Sequence, residues 1–275
     1  MPQTEPLFSQ LTPDDDIVAE TRNERIGYPN LTTLEGANLK FKRGEVTCII
    51  GGSGCGKSTL MKALIGLLPP LAGEVRLLGE NLYALEEDQR NAVLRRVGVL
   101  FQNGALINSL SVAENIMLPM RRHTQMPEAV MLATARLKLR QVGLEHALHM
   151  LPEQLSGGMK KRAALARALA LDPEVLLCDE PSAGLDPLTG AGLDRLLLDI
   201  RRIFKISIIV VTHELNSIRA IADRIVMVAP GRLVFFGPLA EALISNDPDL
   251  VSFFGRQATE QTASNSLYHL LTEAP

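Results

Sequence analysis

The sequence predicts an α/β fold with a parallel sheet at its centre and a helical insertion. Three observations carry this expectation. The runs Val46–Ile50, Val175–Cys178 and Ile206–Val211 are apolar at nearly every position, as strands are when both faces of a parallel sheet are covered. A glycine-rich stretch, Gly51–Thr59, follows the first run and opens a helix. Residues 103–155 then change to a mostly helical character, so strands and helices share one core rather than separate layers.

Taken in chain order, residues 1–20 are polar and acidic, with Asp14-Asp15-Asp16, and read as a loose arm followed by a strand-like piece. Strand patterns follow at 38–41 and 46–50. Ser58–Leu68 reads as a helix stopped by Pro69-Pro70. Further strands are expected near 74–78 and 97–101. Pro127 and Gly143 bracket a helix whose stripe is Leu132, Ala135, Leu139 and Val142, at helical spacing. Another helix runs from Ser156 toward Asp172-Pro173, ahead of the two later apolar runs. The last twenty residues are polar apart from Leu267, Leu270 and Leu271, and no repeat or low-complexity tract is present.

Composition narrows the function classes. The chain has 275 residues, 46% hydrophobic and 21% charged, which suits one large or two small domains with a real core. The net charge of −3 makes no case for nucleic acid or for an acidic membrane surface. Cys48, Cys55 and Cys178 lack any CxxC spacing and read as small buried hydrophobes in a reducing compartment. No apolar run approaches the ~18 residues of a membrane span. The first twenty residues hold no Lys or Arg, so no secretory signal is expected. The expectation is a soluble, cytoplasmic chain that reaches a membrane only through a spanning partner.

Gly51-Gly52-Ser53-Gly54-Cys55-Gly56-Lys57-Ser58-Thr59 reads as a phosphate-binding loop. Glycines let successive N–H groups curve around an anion, and the helix that follows presents its own N–H groups and partial positive charge. Lys57 reaches terminal phosphates, and the Ser58 hydroxyl suits Mg²⁺. Asp179, at the carboxyl end of the run Val175–Cys178, supplies an acidic partner for that ion. Glu180 beside it is the candidate base for an attacking water. Leu155-Ser156-Gly157-Gly158-Met159 opens the next helix with a good N-cap residue. It reads either as a simply capped helix or as a second anion site, for which one chain has no evident use.

These three motifs, in this order, resemble the nucleotide-binding subunits of ABC transporters. The resemblance covers roughly residues 17–255. It extends to Gln102 as the Q-loop glutamine, Ser182-Ala183-Gly184-Leu185-Asp186 as the D-loop and His213 as the switch histidine. Tyr28 lies where the family stacks an aromatic on adenine. The resemblance implies a P-loop NTPase (RecA-like) core, an antiparallel β subdomain of the ABC type and an inserted α-helical subdomain at about 103–160. It implies ATP and Mg²⁺ as cofactors, with Gln102 near the metal or the attacking water and His213 on the terminal phosphate. It also implies a dimer, in which Ser156 and Gly158 of one subunit close on ATP held by Lys57 of the other and the D-loop runs to Asp186. An arm over 1–16 and an extension over 256–275 flank the ATPase domain, and Ser266–Leu271 reads as either a short amphipathic helix or a frayed tail.

The ATPase motifs are silent on cargo. The segment Gln102–Ile116, with Gly104-Ala105-Leu106 and Ser109-Leu110-Ser111-Val112, resembles the ATPases of Mla/MCE-type phospholipid transporters. That resemblance implies a second ATPase subunit, an MlaE-like permease, an MCE-domain protein and a small STAS-domain protein. It implies phospholipid as indirect cargo and a place on the cytoplasmic face of the bacterial inner membrane. Two alternatives stay open: an ABC ATPase for an amino acid, metal or drug, and a regulatory ABC ATPase that moves nothing. Soluble ABC ATPases of DNA or ribosomes carry two nucleotide domains or long insertions, which this chain lacks.

Overall fold

A computed structural model describes residues 16–28 and 31–255. The acidic arm and the 256–275 extension, with its 266–271 segment, otherwise lie outside the described residues. One ten-stranded mixed sheet organises the described residues. Its parallel half has the order β9 (Arg224–Ala229), β3 (Val46–Ile50), β8 (Ser207–Val211), β7 (Val175–Asp179) and β6 (Val97–Leu100). Its other half is mostly antiparallel: β5 (Glu80–Asn81), β4 (Ala72–Leu77), β1 (Ile17–Tyr28) and β2 (Leu31–Lys42). Between the halves β10 (Gly231–Pro238) runs parallel to β2 and antiparallel to β9.

The central runs are almost wholly apolar because their two faces enter different cores. Cys48, Ile50, Leu176, Cys178, Ile208 and Val210 pack on the side of the helical insertion. Ile49, Val175, Leu177, Ile209 and Val211 pack on the other side. That second core also takes Leu60, Met61 and Leu64 of α1 (Lys57–Leu64) and the inner residues of β1, β2 and β4. Every residue of β3 and β8 is buried.

Helix α1 ends at Leu64, four residues short of the expected Leu68. Gly66, not the proline pair, stops it. Gly66 takes φ +76°, its N–H donates to Ala63 O, and Leu67 N–H donates to Lys62 O. This is the paired bonding of a left-handed glycine cap. After α2 (Glu87–Leu94) and β6, the insertion is built by α3 (Val112–His123) and α4 (Glu128–Gln141). Pro127 precedes α4 and Gly143, at φ +71°, follows it. Ala135, Leu139 and Val142 of the expected stripe are buried, Leu132 only partly. Helix α5 (Gly157–Ala168) returns the chain to β7. Then α6 (Pro187–Phe204) and α7 (Leu215–Ile221) cover the parallel half, and α8 (Leu239–Leu243) follows β10. A last helical stretch spans 248–255.

Candidate functional site: a phosphate-loop cleft

The loop after β3 has the backbone its glycines permit. Gly51, Gly54 and Gly56 take φ values of +147°, +74° and +107°. A Cβ on Gly51 would stand 2.2 Å from Val228 O, and one on Gly56 2.4 Å from Thr33 Cγ2. At these two positions glycine is required for space as well as for dihedral. Gly56 is the N-cap residue of α1, so the helix starts with Lys57, Ser58 and Thr59 and turns its free N–H groups to the loop. Lys57 Nζ folds back and donates to Gly51 O at 3.0 Å and Gly52 O at 2.8 Å. The ammonium is thereby poised over the concave side of the loop.

Beyond the loop lies a cleft of about 640 Å³. Gly51, Gly52, Ser53, Gly54, Lys57 and Ser58 form one wall; Gln102, Asp179, Glu180 and His213 form the other. Those four come from the ends of β6, β7 and β8, the carboxyl edge where open parallel sheets bind ligands. Burial and the Glu180 charge push the Asp179 carboxyl above its ordinary range, and Lys57, Lys161 and Lys62 pull the other way. Ser58, Asp179 and Gln102 all line this cleft, and each side chain offers a hard oxygen donor. Among the described residues no cluster of three or more His, Cys, Asp or Glu forms a metal cage.

Glu180 is the most constrained residue of the cleft. It is 9% exposed and takes φ +45°, a left-handed conformation unusual for a residue with a Cβ. Its N–H donates to Val211 O at 2.8 Å. Its Oε1 lies 2.7 Å from His213 Nδ1, while Oε2 is buried with no partner. The residue lines the cleft opposite the phosphate loop with one carboxylate oxygen held by His213. Each histidine nitrogen has a different neighbour, since Nε2 is 3.9 Å from Glu214 Oε1.

Not every expected residue enters this cleft. Ser156, Gly157 and Gly158 open α5, where Ser156 Oγ accepts from Met159 N–H at 3.3 Å. Neither they nor Asp186 line it. Asp186 instead caps α6, accepting from Thr189 N–H at 3.0 Å. Tyr28, at the end of β1, is 45% exposed and is not a lining residue. Cys55 is buried beneath the loop. Cleft residues that motif reading passes over are Glu214, Leu215 and Phe253. Lys161 is a second omission: its ammonium donates to Gln102 O and, at 3.0 Å, to Glu180 O. The signal for it was a lysine on the buried face of α5, three and four residues before Ala164 and Leu165.

Fold and cleft together define a nucleotide-binding ATPase of the P-loop class. The ABC transporter family model matches residues 34–183, and the chain belongs to that family. A Haemophilus influenzae protein described as "Intermembrane phospholipid transport system ATP-binding protein MlaF" is 38% identical over 232 residues, 84% of this chain and 86% of the relative. The Mycobacterium leprae "Probable ribonucleotide transport ATP-binding protein mkl" is 40% identical over 80% of this chain and 63% of its own length. The solved dimer of the ATP-binding cassette MJ0796, in a post-hydrolysis state with ADP and Pi, superposes with a TM-score of 0.73 at 31% identity, covering 80% of this chain and 98% of that one. The chain is thus an ABC-type ATPase of a family whose cassettes pair. Among its described residues no helix is long and apolar enough to cross a membrane.

Proposed function

We propose that this chain is the ATP-hydrolysing subunit of a bacterial phospholipid transporter of the Mla/MCE type. The observation that carries the cargo is its 38% identity to MlaF over 84% of its length. The expected ATPase domain is 17–255, with the insertion at about 103–160 and an extension over 256–275. Lys57 and the N–H groups of Gly51–Thr59 hold the phosphates of ATP. Ser58, Asp179 and Gln102 hold Mg²⁺, and that oxygen set fits a small cation otherwise completed by phosphates and water. The ion would supply charge neutralisation at the phosphates. Glu180 takes the proton of the attacking water, and His213 fixes Glu180 Oε1 and reaches toward the terminal phosphate. Tyr28 stacks on the base.

The absence of Ser156, Gly158 and Asp186 from the cleft supports a second copy as the source of the closing face. ATP then favours the paired state, and loss of the terminal phosphate reopens it. The surface Asn103–Ile116 is the proposed docking face for an MlaE-like permease. It is prearranged: buried Asn115 accepts from Ile107 N–H at 2.8 Å and donates to the carbonyls of Ile107, Leu110 and Ser111 at 3.0–3.1 Å. Through that permease the subunit would sit on the cytoplasmic face of the inner membrane, with an MCE-domain protein and a small STAS-domain protein in the same assembly.

A second cargo is favoured by one observation, the 40% identity to a relative described as serving ribonucleotide transport. Isolation of the chain from native membranes in gentle detergent, with mass spectrometry of bound proteins and lipids, separates the two. A permease, an MCE protein and phospholipid are expected. A different permease would remove the lipid assignment and leave the ATPase standing.

A further inference from the structure

Lys161 is 7% exposed, and its ammonium lies between two backbone carbonyls from different parts of the cleft. One is Gln102 O, after β6; the other is Glu180 O, after β7. Both flank side chains of the proposed hydrolytic machinery. Lys161 itself belongs to α5, fewer than two turns from Ser156, where the closing face begins.

We infer that Lys161 is a positioning residue that ties the placement of Glu180 and Gln102 to the position of helix α5. The inference rests on the reading of Glu180 as the base. A non-glycine residue in the left-handed region costs about 1–3 kcal/mol and persists only where its surroundings hold it. For Glu180 the holding groups are Val211 O on its N–H, His213 on its carboxylate, and Lys161 and the Ala183 N–H on its carbonyl. Only Lys161 among these belongs to the helix that carries Ser156 and Gly158. An ammonium has three donors and no acceptor, so it can grip both carbonyls at once. Charge-assisted bonds are about twice as strong as neutral ones, which offsets the loss of water around the buried cation.

The clamp continues along α5. Arg167 donates from Nη1 to Ala105 O at 2.6 Å and from Nη2 to Gly104 O at 2.8 Å. Gly104 and Ala105 are both left-handed, at φ +71° and +50°. Two cations of one helix therefore hold three carbonyls of the loop 102–105 and the carbonyl of Glu180. A shift of α5 as the two copies close moves the base and Gln102 together. Burial lowers the Lys161 ammonium below its ordinary range, and the nearby Glu180 and Asp179 charges oppose that shift only in part.

The test uses the full chain, isolated from native membranes with its bound partners, in steady-state ATP hydrolysis. Lys161→Met keeps length and removes the donors. Its kcat is expected to fall about tenfold or more with KM for ATP within about twofold. Lys161→Arg, which can serve both carbonyls, is expected to recover most of the rate. Lys161→Gln retains one donor group and serves if the methionine variant does not fold, with a kcat between the other two. A loss carried by KM, or wild-type kcat in Lys161→Met or Lys161→Gln, overturns the inference. So does failure of Lys161→Arg to recover. Glu180→Gln, run in parallel, keeps the two ideas apart: full activity there removes the base assignment, whereas its inactivity beside a fully active Lys161→Met removes only the coupling.

Discussion

Glu180 Oε1 and His213 Nδ1 stand 2.7 Å apart at the ends of neighbouring parallel strands, β7 and β8. The contact fixes one carboxylate oxygen, and the other, Oε2, is buried without a hydrogen-bond partner. Glu180→Gln keeps the shape and removes the proton acceptor. Hydrolysis is expected to fall by about 100-fold or more, in the range general bases contribute. Nucleotide binding should persist. Phosphate release and nucleotide titration on the same preparation check both halves, and retained turnover would remove Glu180 from the reaction.

Lys57 holds two carbonyls of its own loop, so its ammonium is prepaid in position rather than recruited from solvent. Lys57→Ala should weaken ATP binding by about 10- to 100-fold, the worth of a charged hydrogen bond of about 1.5–3 kcal/mol. Fold stability should change little, because the lost bonds lie at the mouth of the cleft. Calorimetric titration with ATP and a melting curve without it separate these effects.

The loop glycines differ in what they tolerate. Gly51→Ala and Gly56→Ala place a methyl within 2.2 Å of Val228 O and 2.4 Å of Thr33 Cγ2, at positive φ. Each should cost about 1–3 kcal/mol in denaturant unfolding. A Cβ on Gly52 would meet nothing within 4 Å, and its φ is not positive. Gly52→Ala should stay within about 0.5 kcal/mol of the parent. Equal destabilisation at all three would contradict the packing described.

Glu24 of β1 is fully buried, and neither of its carboxylate oxygens has a hydrogen-bond partner. Burial pushes its carboxyl up to about 8. The folded chain therefore holds a proton that the unfolded chain, with an ordinary value of 4.5, releases. Between these values the native state binds more protons, so stability contributed here falls as pH rises from about 4.5 through 8. Glu24→Gln should flatten that slope. Melting temperatures at pH 6 and pH 8 should lie closer together in the variant than in the parent.

The central architecture was legible because it rests on burial. Strands covered on both faces must be almost wholly apolar, and β3, β7 and β8 are, each with a single polar residue: Thr47, Asp179 and Ser207. The end of α1 was misplaced because Gly66 closes the helix before the more conspicuous proline pair is reached. The long β1–β2 pair was legible only in part. Its register shifts at several points, and buried Glu20 and Glu24 break the apolar alternation. In the cleft, Lys57, Asp179, Glu180 and His213 were legible because side-chain chemistry at a strand end or loop follows from residue type. Lys161 was not, because its partners are main-chain carbonyls, which every residue carries. Phe253 reaches the cleft from nearly two hundred residues beyond the loop, and no local pattern announces it.

Ser156 supplies the last prediction, because it lies outside the cleft that holds Lys57. If it acts on nucleotide, it acts on that of a second copy. Ser156→Ala should therefore leave ATP affinity of the single chain unchanged and weaken ATP-dependent pairing. Its Oγ also caps α5 through Met159 N–H, so a stability loss of about 0.5–2 kcal/mol is expected as well. Ser156→Asp restores a capping oxygen but brings a negative charge to the anion-facing helix start. It should recover stability and pair less well than Ser156→Ala. Sedimentation velocity with Glu180→Gln as the background, where nucleotide is bound but not consumed, reads pairing directly. A fall in single-chain ATP affinity for either variant would place Ser156 in its own cleft and remove the paired arrangement.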